Sequence, residues 1–396
     1  MFVLHLGISG FPKGNAPIQR LKLTFKALKS AGLFPLIINK YSIHVNPAKT
    51  NQRICRSDGL FYINASYLPY KPLNFLSRTL NKLSGNFTEF LFLLRHKNRI
   101  QSAIFYGPGF GELLYYRALS KLFGFKLIIQ YVELRSAIPN DRSFLFKWNN
   151  RMFDWYCHKF CDGAIAISEY LKNYLAQKNP DLPIIKVPAL CDFDEFASIS
   201  PAANTEGHYL MYCGTIEYYQ VIEFIVDLFG RLKKEGLFSG YLMLVVSGSN
   251  EDKMSALKTM IVAKGLGHYV QIKSNIDYNY LINLYRNAKM LFVPLRKTLQ
   301  DIARFPHKIG EYTAAKRPIL STNVGEVAYY LDDMQSALLA DEFNLDAYCN
   351  KLRAVITDDD LLNEIGSNGY RIGFEHFHYK NYETPLFDFI NLRVQD

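Results

Sequence analysis

Acidic side chains are scarce in the first half of this 396-residue chain. Residues 1–190 hold 26 Lys and Arg against 9 Asp and Glu, a balance of +17; residues 191–396 hold 20 against 27, a balance of −7. The halves therefore face different electrostatic partners, and those open to the first are an anionic membrane, a nucleic acid or an anionic substrate. Long apolar runs are also missing: none reaches about 18 residues without a charge, so no bilayer span is expected. The short apolar start meets Gly7 without a basic leader, which points away from a secretory signal and toward the cytoplasm. The six cysteines contain no Cys-x-x-Cys pair. Cys157 and Cys161 lie four apart beside His158, yet two further ligands at metal spacing are lacking, so buried, reduced thiols are expected.

Apolar residues make up 49% of the chain and charged residues 21%, the composition of a folding globular protein. The length suits two domains of about 180–200 residues each. Phe2–Ile8 reads as a buried strand, followed by the glycine loop Gly7-Ile-Ser-Gly10-Phe-Pro-Lys-Gly14 and a helix with Ile18, Leu21, Phe25 and Leu28 on its apolar side. Pro35–Asn39, Ala103–Tyr106, Lys126–Tyr131, Gly163–Ile167 and Ile184–Pro188 continue the alternation, and Ser168 is placed to cap a helix at Glu169. Residues 198–208 carry turn formers without periodicity and read as a linker. The pattern restarts with strands at Tyr209–Cys213, Tyr241–Ser247, Val270–Lys273, Met290–Pro294 and Pro318–Ser321. The expected fold is α/β, two facing doubly wound domains over 1–197 and 209–375, with residues 376–396 as a C-terminal helix crossing back to the first domain.

Ligands of such sheets bind beyond the carboxyl ends of the strands, so a cleft between the two domains is the expected site. The segment Ala303-Arg-Phe-Pro-His-Lys-Ile-Gly-Glu-Tyr follows one such strand. Pro306 suits a first helical turn, which would leave free N–H groups at His307, Lys308 and Ile309 beside the Lys308 ammonium, an anion site. Glu311, one turn further, can accept two hydroxyl protons from a ribose diol. Asp192-Phe-Asp194 reads as an inter-domain turn and Asp358-Asp-Asp360 as a helix cap, so no metal is expected.

Residues 306–321 resemble the donor-site helix of GT-B glycosyltransferases of the family 4 type, the group 1 enzymes that include glycogen and sucrose synthases. Their pattern is roughly P-x-K-x-x-E-Y-x-A-x-G-x-P, with a basic residue here in place of the usual Gly. Gly10 to Gly14 with Arg20, Asp162–Glu169, Val187–Phe196, Gly214-Thr215 and Gly325-Glu326 fall in the family's order, across nearly the whole chain. The resemblance implies transfer of a sugar from a nucleoside-diphosphate sugar to an acceptor hydroxyl, with retention, in cell-surface polysaccharide or glycolipid assembly. It implies Gly10, Gly14, Gly214, Thr215, Gly248, Pro306, His307, Lys308, Ile309 and Glu311 as donor-binding residues. The sequence departs from the family at Ala303, where the first Glu of a Glu-x7-Glu pair stands, and Asp301 or Arg304 is left to take that role. Thr215 and Gln220 stand where basic residues are common. The usual first-domain His is absent, with Glu133 the nearest polar candidate. Lys308, Arg304 and Glu133 are the expected catalytic groups.

Residues 67–99 interleave aromatics with Lys71, Arg78, Lys82, Arg95, Lys97 and Arg99, and Glu89 is their only acid. They form either a surface lying on an anionic membrane or an ordinary helix pair with a solvated basic face. The acceptor is expected to be lipid-linked or a saccharide, with the enzyme peripheral on the inner face of the membrane. A sugar-nucleotide epimerase of the same fold lacks a convincing acid and His set. A non-catalytic two-domain binding protein and a nucleic-acid binder lack their own sequence signatures.

Overall fold

The short apolar runs become strands of two sheets. The computed structural model describes residues 1–12, 14, 16–41, 53–68, 70–107, 109–138, 143–200 and 206–392. Lys13 and Asn15 of the glycine loop and residues 201–205 of the expected linker lie outside them. The chain divides into unit 1, Met1–Leu190 with Tyr379–Asp396, and unit 2, Cys191–His378.

Unit 1 contains strands β1 (Phe2–Leu6), β2 (Phe34–Asn39), β3 (Ile54–Ser57), β4 (Leu60–Asn64), β5 (Ile100–Phe105), β6 (Lys126–Tyr131), β7 (Gly163–Ala166) and β8 (Ile184–Lys186). Their order is β3-β4-β2-β1-β5-β6-β7-β8. All pairs are parallel except β3 with β4. That hairpin turns on Asp58 and Gly59, both at positive φ, which is the geometry a two-residue hairpin turn needs. One side of the sheet packs on the Ala16–Ser30 helix, whose Leu21, Phe25 and Leu28 share a core with Leu386, Phe389 and Ile390 from the end of the chain. The crossovers β4 to β5, β5 to β6 and β6 to β7 all run the other way across the sheet. Right-handed crossing therefore puts the helices Phe75–His96, Phe110–Phe123 and Phe144–Tyr156 together on the opposite side.

A charged group is buried under that helix layer. Glu89 is fully buried and accepts from the Tyr116 hydroxyl at 3.0 and 3.1 Å; Lys40 lies 3.7 Å from Glu89 and 3.1 Å from Glu112. Burial pushes the Glu89 carboxyl up to about 7 against the pull of Lys40. A carboxyl raised in the fold favours the folded state while protonated, so this contribution falls as pH rises from 4.5, its ordinary value, to about 7. Glu89→Gln removes the titration. The stability difference between variant and parent, measured by urea unfolding, is expected to move by up to about 1.4 kcal/mol per pH unit across that window. A difference independent of pH would show that Glu89 does not titrate there.

Unit 2 contains β9 (Tyr209–Thr215), β10 (Tyr241–Ser247), β11 (Val270–Lys273), β12 (Met290–Val293), β13 (Ile319–Thr322) and β14 (Leu338–Ala340). They form a parallel sheet in the order β11-β10-β9-β12-β13-β14. The chain reverses its direction of winding between β9 and β12, which makes their carboxyl ends the place where a ligand fits. The Asp359–Phe377 helix presses close to the segments behind that edge. A Cβ on Gly373 would stand 2.2 Å from Thr313 Oγ1, and one on Gly366 would stand 2.7 Å from the Lys316 carbonyl oxygen. Asp358 caps this helix by accepting from the Leu361 N–H at 2.9 Å, and Asp192 caps Phe193–Ser198 through the Glu195 N–H at 3.1 Å.

Candidate active site

Phe305 anchors the segment that leads into the site. It is buried, stacked on Tyr330 at 5.7 Å and edge-on to Phe377 at 5.3 Å. The helix that follows is Lys308–Ala314, only seven residues long. Two expectations are corrected here. Pro306 stands ahead of the helix rather than in its first turn, and its carbonyl takes the Ile309 N–H at 3.1 Å, so that donor is not free for an anion. A helix this short also offers a weaker dipole, because the effect comes from aligned peptide units. The charge at this end therefore rests on side chains.

Lys308 and Glu311 share one face of the helix at i and i+3. The Lys308 ammonium lies 2.7 Å from Glu311 Oε2, and the Tyr285 hydroxyl completes a triangle, 2.8 Å from Lys308 Nζ and 3.0 Å from Glu311 Oε2. Burial works against the Lys308 charge, but the neighbouring Cys213 and the Glu311 carboxylate outweigh it and hold the ammonium above its ordinary value. Burial, with Cys213 and Glu311 beside it, keeps Tyr285 a neutral phenol, free to donate. Side-chain exposures of 28% for Lys308 and 15% for Glu311 leave both reachable by a ligand. Tyr312, the next residue, accepts the Cys213 N–H at 3.0 Å and so fixes the helix to the end of β9. Tyr285 went unread in the sequence because it sits in the apolar stripe of its helix, where tyrosine usually means core.

A second cationic group lies on the loop after β12. Asp301 is buried, and its Oδ2 accepts from the Arg296 N–H at 3.0 Å and from Arg296 Nε at 3.1 Å. Arg304 Nη2 lies 2.7 Å from Asp301 Oδ1 in an ion pair. Arg304 also bonds the Tyr218 hydroxyl and covers the Tyr218 ring at 4.6 Å, while Arg296 reaches Gln220 at 3.5 Å. The Asp301 carboxylate thus aligns two guanidinium groups, and Arg304 is one of them. Ala303 is fully buried. Counting Lys308, Arg296 and Arg304 against Glu311 and Asp301, the five charges leave a net +1, suited to a ligand bearing more than one negative charge.

The glycines at the strand ends have spatial reasons. A Cβ on Gly214 would stand 2.2 Å from the Tyr212 hydroxyl. Gly248 has φ +127°, and a Cβ there would stand 2.7 Å from Ile216 Cγ2. Thr215 spends its hydroxyl on the Glu217 N–H at 3.4 Å, starting the turn that carries Tyr218. Gly325, at φ +58°, lets the Gly325-Glu326 loop lie against the backbone of Ile302, where a Cβ would be 3.0 Å from the carbonyl oxygen. Among the described residues no group of three or more His, Cys, Asp or Glu side chains is placed to hold a metal ion.

Residues 194–372 match the family described as glycosyl transferases group 1. That segment is similar to the group 1 glycosyltransferases, and the two parallel sheets have the GT-B fold of the solved structures that follow. Sucrose-phosphate synthase from Thermosynechococcus elongatus superposes with a TM-score of 0.74 at 17% identity, covering 97% of this chain and 96% of that one. HepE of Anabaena, solved with UDP and glucose, gives 0.69 at 14%, with 98% of each chain covered. A glycosyltransferase of Rickettsia africae gives 0.68 at 15%, again covering 98% of each. Identities this low establish the shared fold. No curated protein matches the chain.

Three of the residues assigned from the sequence, Gly10, Gly14 and Glu133, belong to unit 1. Gly10 has φ +100° in the loop after β1, which Asn39 pins by accepting from the Phe11 N–H at 3.2 Å and donating to the Phe11 carbonyl at 2.7 Å. Gly14 has no room for a Cβ, which would stand 2.4 Å from Ile18 Cγ1. Glu133 is half-buried after β6, beside the turn that Asp154 fixes through the Ser136 N–H at 2.6 Å. Arg20 is a structural residue: buried, it donates to the Pro188 and Val187 carbonyls at 2.8 and 2.7 Å. The six cysteines form no disulfide, and all but Cys55 are buried.

Proposed function

We propose that this enzyme transfers a sugar, with retention of configuration, from a nucleoside-diphosphate sugar to a hydroxyl of a lipid-linked or saccharide acceptor. We place the reaction in cell-surface polysaccharide or glycolipid assembly, at the inner face of a membrane. The observation that carries the donor reading is the Lys308–Glu311–Tyr285 triangle beside the arginine pair held by Asp301. It sets cations for a diphosphate next to a carboxylate for a ribose diol, at the carboxyl edge of the sheet. The charge that develops on the leaving diphosphate is met by Lys308, Arg304 and Arg296 without a metal ion, and preorganised charges of this kind contribute most to such a step. The leaving phosphate itself draws the proton from the attacking hydroxyl on the same face, so no dedicated base is required. Glu133 serves the acceptor side. Solved relatives hold UDP and UDP-glucose, which makes the uridine nucleotide the first to test.

A thermal-shift panel of UDP, GDP, ADP and CMP tests the donor site, because a ligand bound only by the fold raises its melting temperature. One nucleoside diphosphate is expected to stabilise the protein. Glu311→Ala is expected to weaken that nucleotide about tenfold, the scale of one lost charge-assisted hydrogen bond. The same variant should hold inorganic pyrophosphate at least as tightly as the parent does, since Lys308 loses its counter-charge. Parallel loss of both ligands would remove Glu311 from the ribose role.

A further inference from the structure

The helix layer of unit 1 is turned inside out. The 22-residue helix Phe75–His96 buries Asn81, Gly85 and Glu89 along with Leu93. Asn81 accepts the Leu68 N–H at 2.7 Å, and Gly85 lies so near the Lys40 carbonyl that a Cβ would stand 2.0 Å from it. The opposite face carries Leu76, Leu80, Leu83, Phe87, Leu91 and Leu94, all exposed and spaced three or four apart in one straight stripe. Phe144–Tyr156 repeats the inversion. Asn150 and Asp154 face inward along with Phe153, while Phe144, Trp148 and Trp155 stand exposed at helical spacing with Arg151 between them. These are the two tryptophans of the chain. Both helices belong to the layer on one side of the sheet.

The inner polar faces have local work: Asn149 accepts the Phe110 N–H at 3.0 Å, and Asp154 holds the turn after β6. Among the described residues the outer apolar side chains stay exposed. We propose that this surface docks on an anionic lipid bilayer, with both helices lying in the plane of the interface. Charge complementarity selects the bilayer over a second copy of the chain. Lys82, Arg95, Lys147, Arg151 and Lys159 are the exposed charges beside the stripes, and neither helix exposes an acid. Two copies would press like charges together, whereas an anionic headgroup layer neutralises them as the apolar side chains enter. Tryptophan suits the same boundary, with an apolar ring and a polar N–H. Among the described residues no helix is long and apolar enough to cross a membrane, so the contact is one of surface docking. The inference deepens the proposed function, resting on it for the lipid-linked acceptor that such a surface would present.

The test uses the full chain with vesicles of phosphatidylcholine alone or with added phosphatidylglycerol, at low and high salt, reading flotation and tryptophan emission. Flotation is expected with the anionic vesicles, with a blue-shifted emission, and is expected to fall as salt screens the headgroups. The triple variant Leu80→Ser, Leu83→Ser, Phe87→Ser should bind at least about tenfold more weakly. It should still be stabilised by the nucleoside diphosphate, which shows it folded. Lys147→Glu with Arg151→Glu, on the other helix, should lose binding too. Three results would overturn the proposal: no flotation with anionic vesicles, flotation with unshifted emission, or a dimer in sedimentation that the triple variant splits. Flotation without any nucleotide stabilisation would leave the docking surface standing and remove the donor assignment instead.

Discussion

Lys308→Ala is expected to lower kcat/KM by about a hundredfold to a thousandfold, the usual scale for removing one preorganised donor from a developing anion. The seven-residue helix and the occupied Ile309 N–H leave the ammonium as the principal positive charge at this helix start. The substitution also strips Glu311 of its nearest cation, leaving the Tyr285 hydroxyl as its partner in the triangle. Nucleotide affinity should therefore fall along with turnover. Steady-state kinetics with a labelled donor, together with calorimetry of nucleotide binding, measure the two. Unchanged values in both would show that the diphosphate binds elsewhere.

Asp301→Ala is expected to destabilise unit 2 strongly. The carboxylate is about 1% exposed and lies against two guanidinium groups, Arg296 and Arg304. Removing one partner of a buried ion pair commonly costs about 3–5 kcal/mol, because the remaining charge is left uncompensated. The arginines would also lose the alignment that presents them to a phosphate, so nucleotide binding should weaken as well. Asp301→Asn keeps the shape and one acceptor, and should fall between parent and alanine variant. Urea unfolding checks the order. A loss below about 1 kcal/mol for the alanine variant would mean that the arginines are solvated and the cluster is not a preset clamp.

Much of the architecture is legible from local pattern alone. Lys126–Tyr131, Tyr241–Ser247 and Val270–Lys273 are strands with the bounds their apolar runs suggest, and Ser168 caps its helix through the Leu171 N–H at 3.2 Å. Short, β-rich, fully buried runs carry little ambiguity once glycines and caps bracket them. β3, β4 and β14 were unread. The first two are short and mostly exposed or half-exposed, although Asp58-Gly59 is a hairpin signal in its own right. The site was legible where one helix carries it, as with Lys308 and Glu311. It was illegible where side chains from distant elements converge: Tyr285 comes from a different helix, and Arg296 reaches Gln220 across 76 positions of sequence. The inverted helices mislead for a related reason. Spacing shows that Leu76 to Leu94 form a stripe, but only the packing of Asn81, Gly85 and Glu89 shows that the stripe points outward.

The return of the chain at Tyr379 fixes the order in which a growing polypeptide can finish its two units. Unit 2, Cys191–His378, is one uninterrupted stretch and can close as soon as it leaves the ribosome. Unit 1 begins first, yet Leu386, Phe389 and Ile390, which share a core with Phe25 and Leu28, are made only after the whole of unit 2. Throughout the synthesis of residues 191–378 the part of the Ala16–Ser30 helix that these three residues cover stays open to whatever binds bare hydrophobic surface in the cell. The unit begun first is the later of the two to be completed, and a translation pause near residue 378 would hold the protein with that part of its core uncovered.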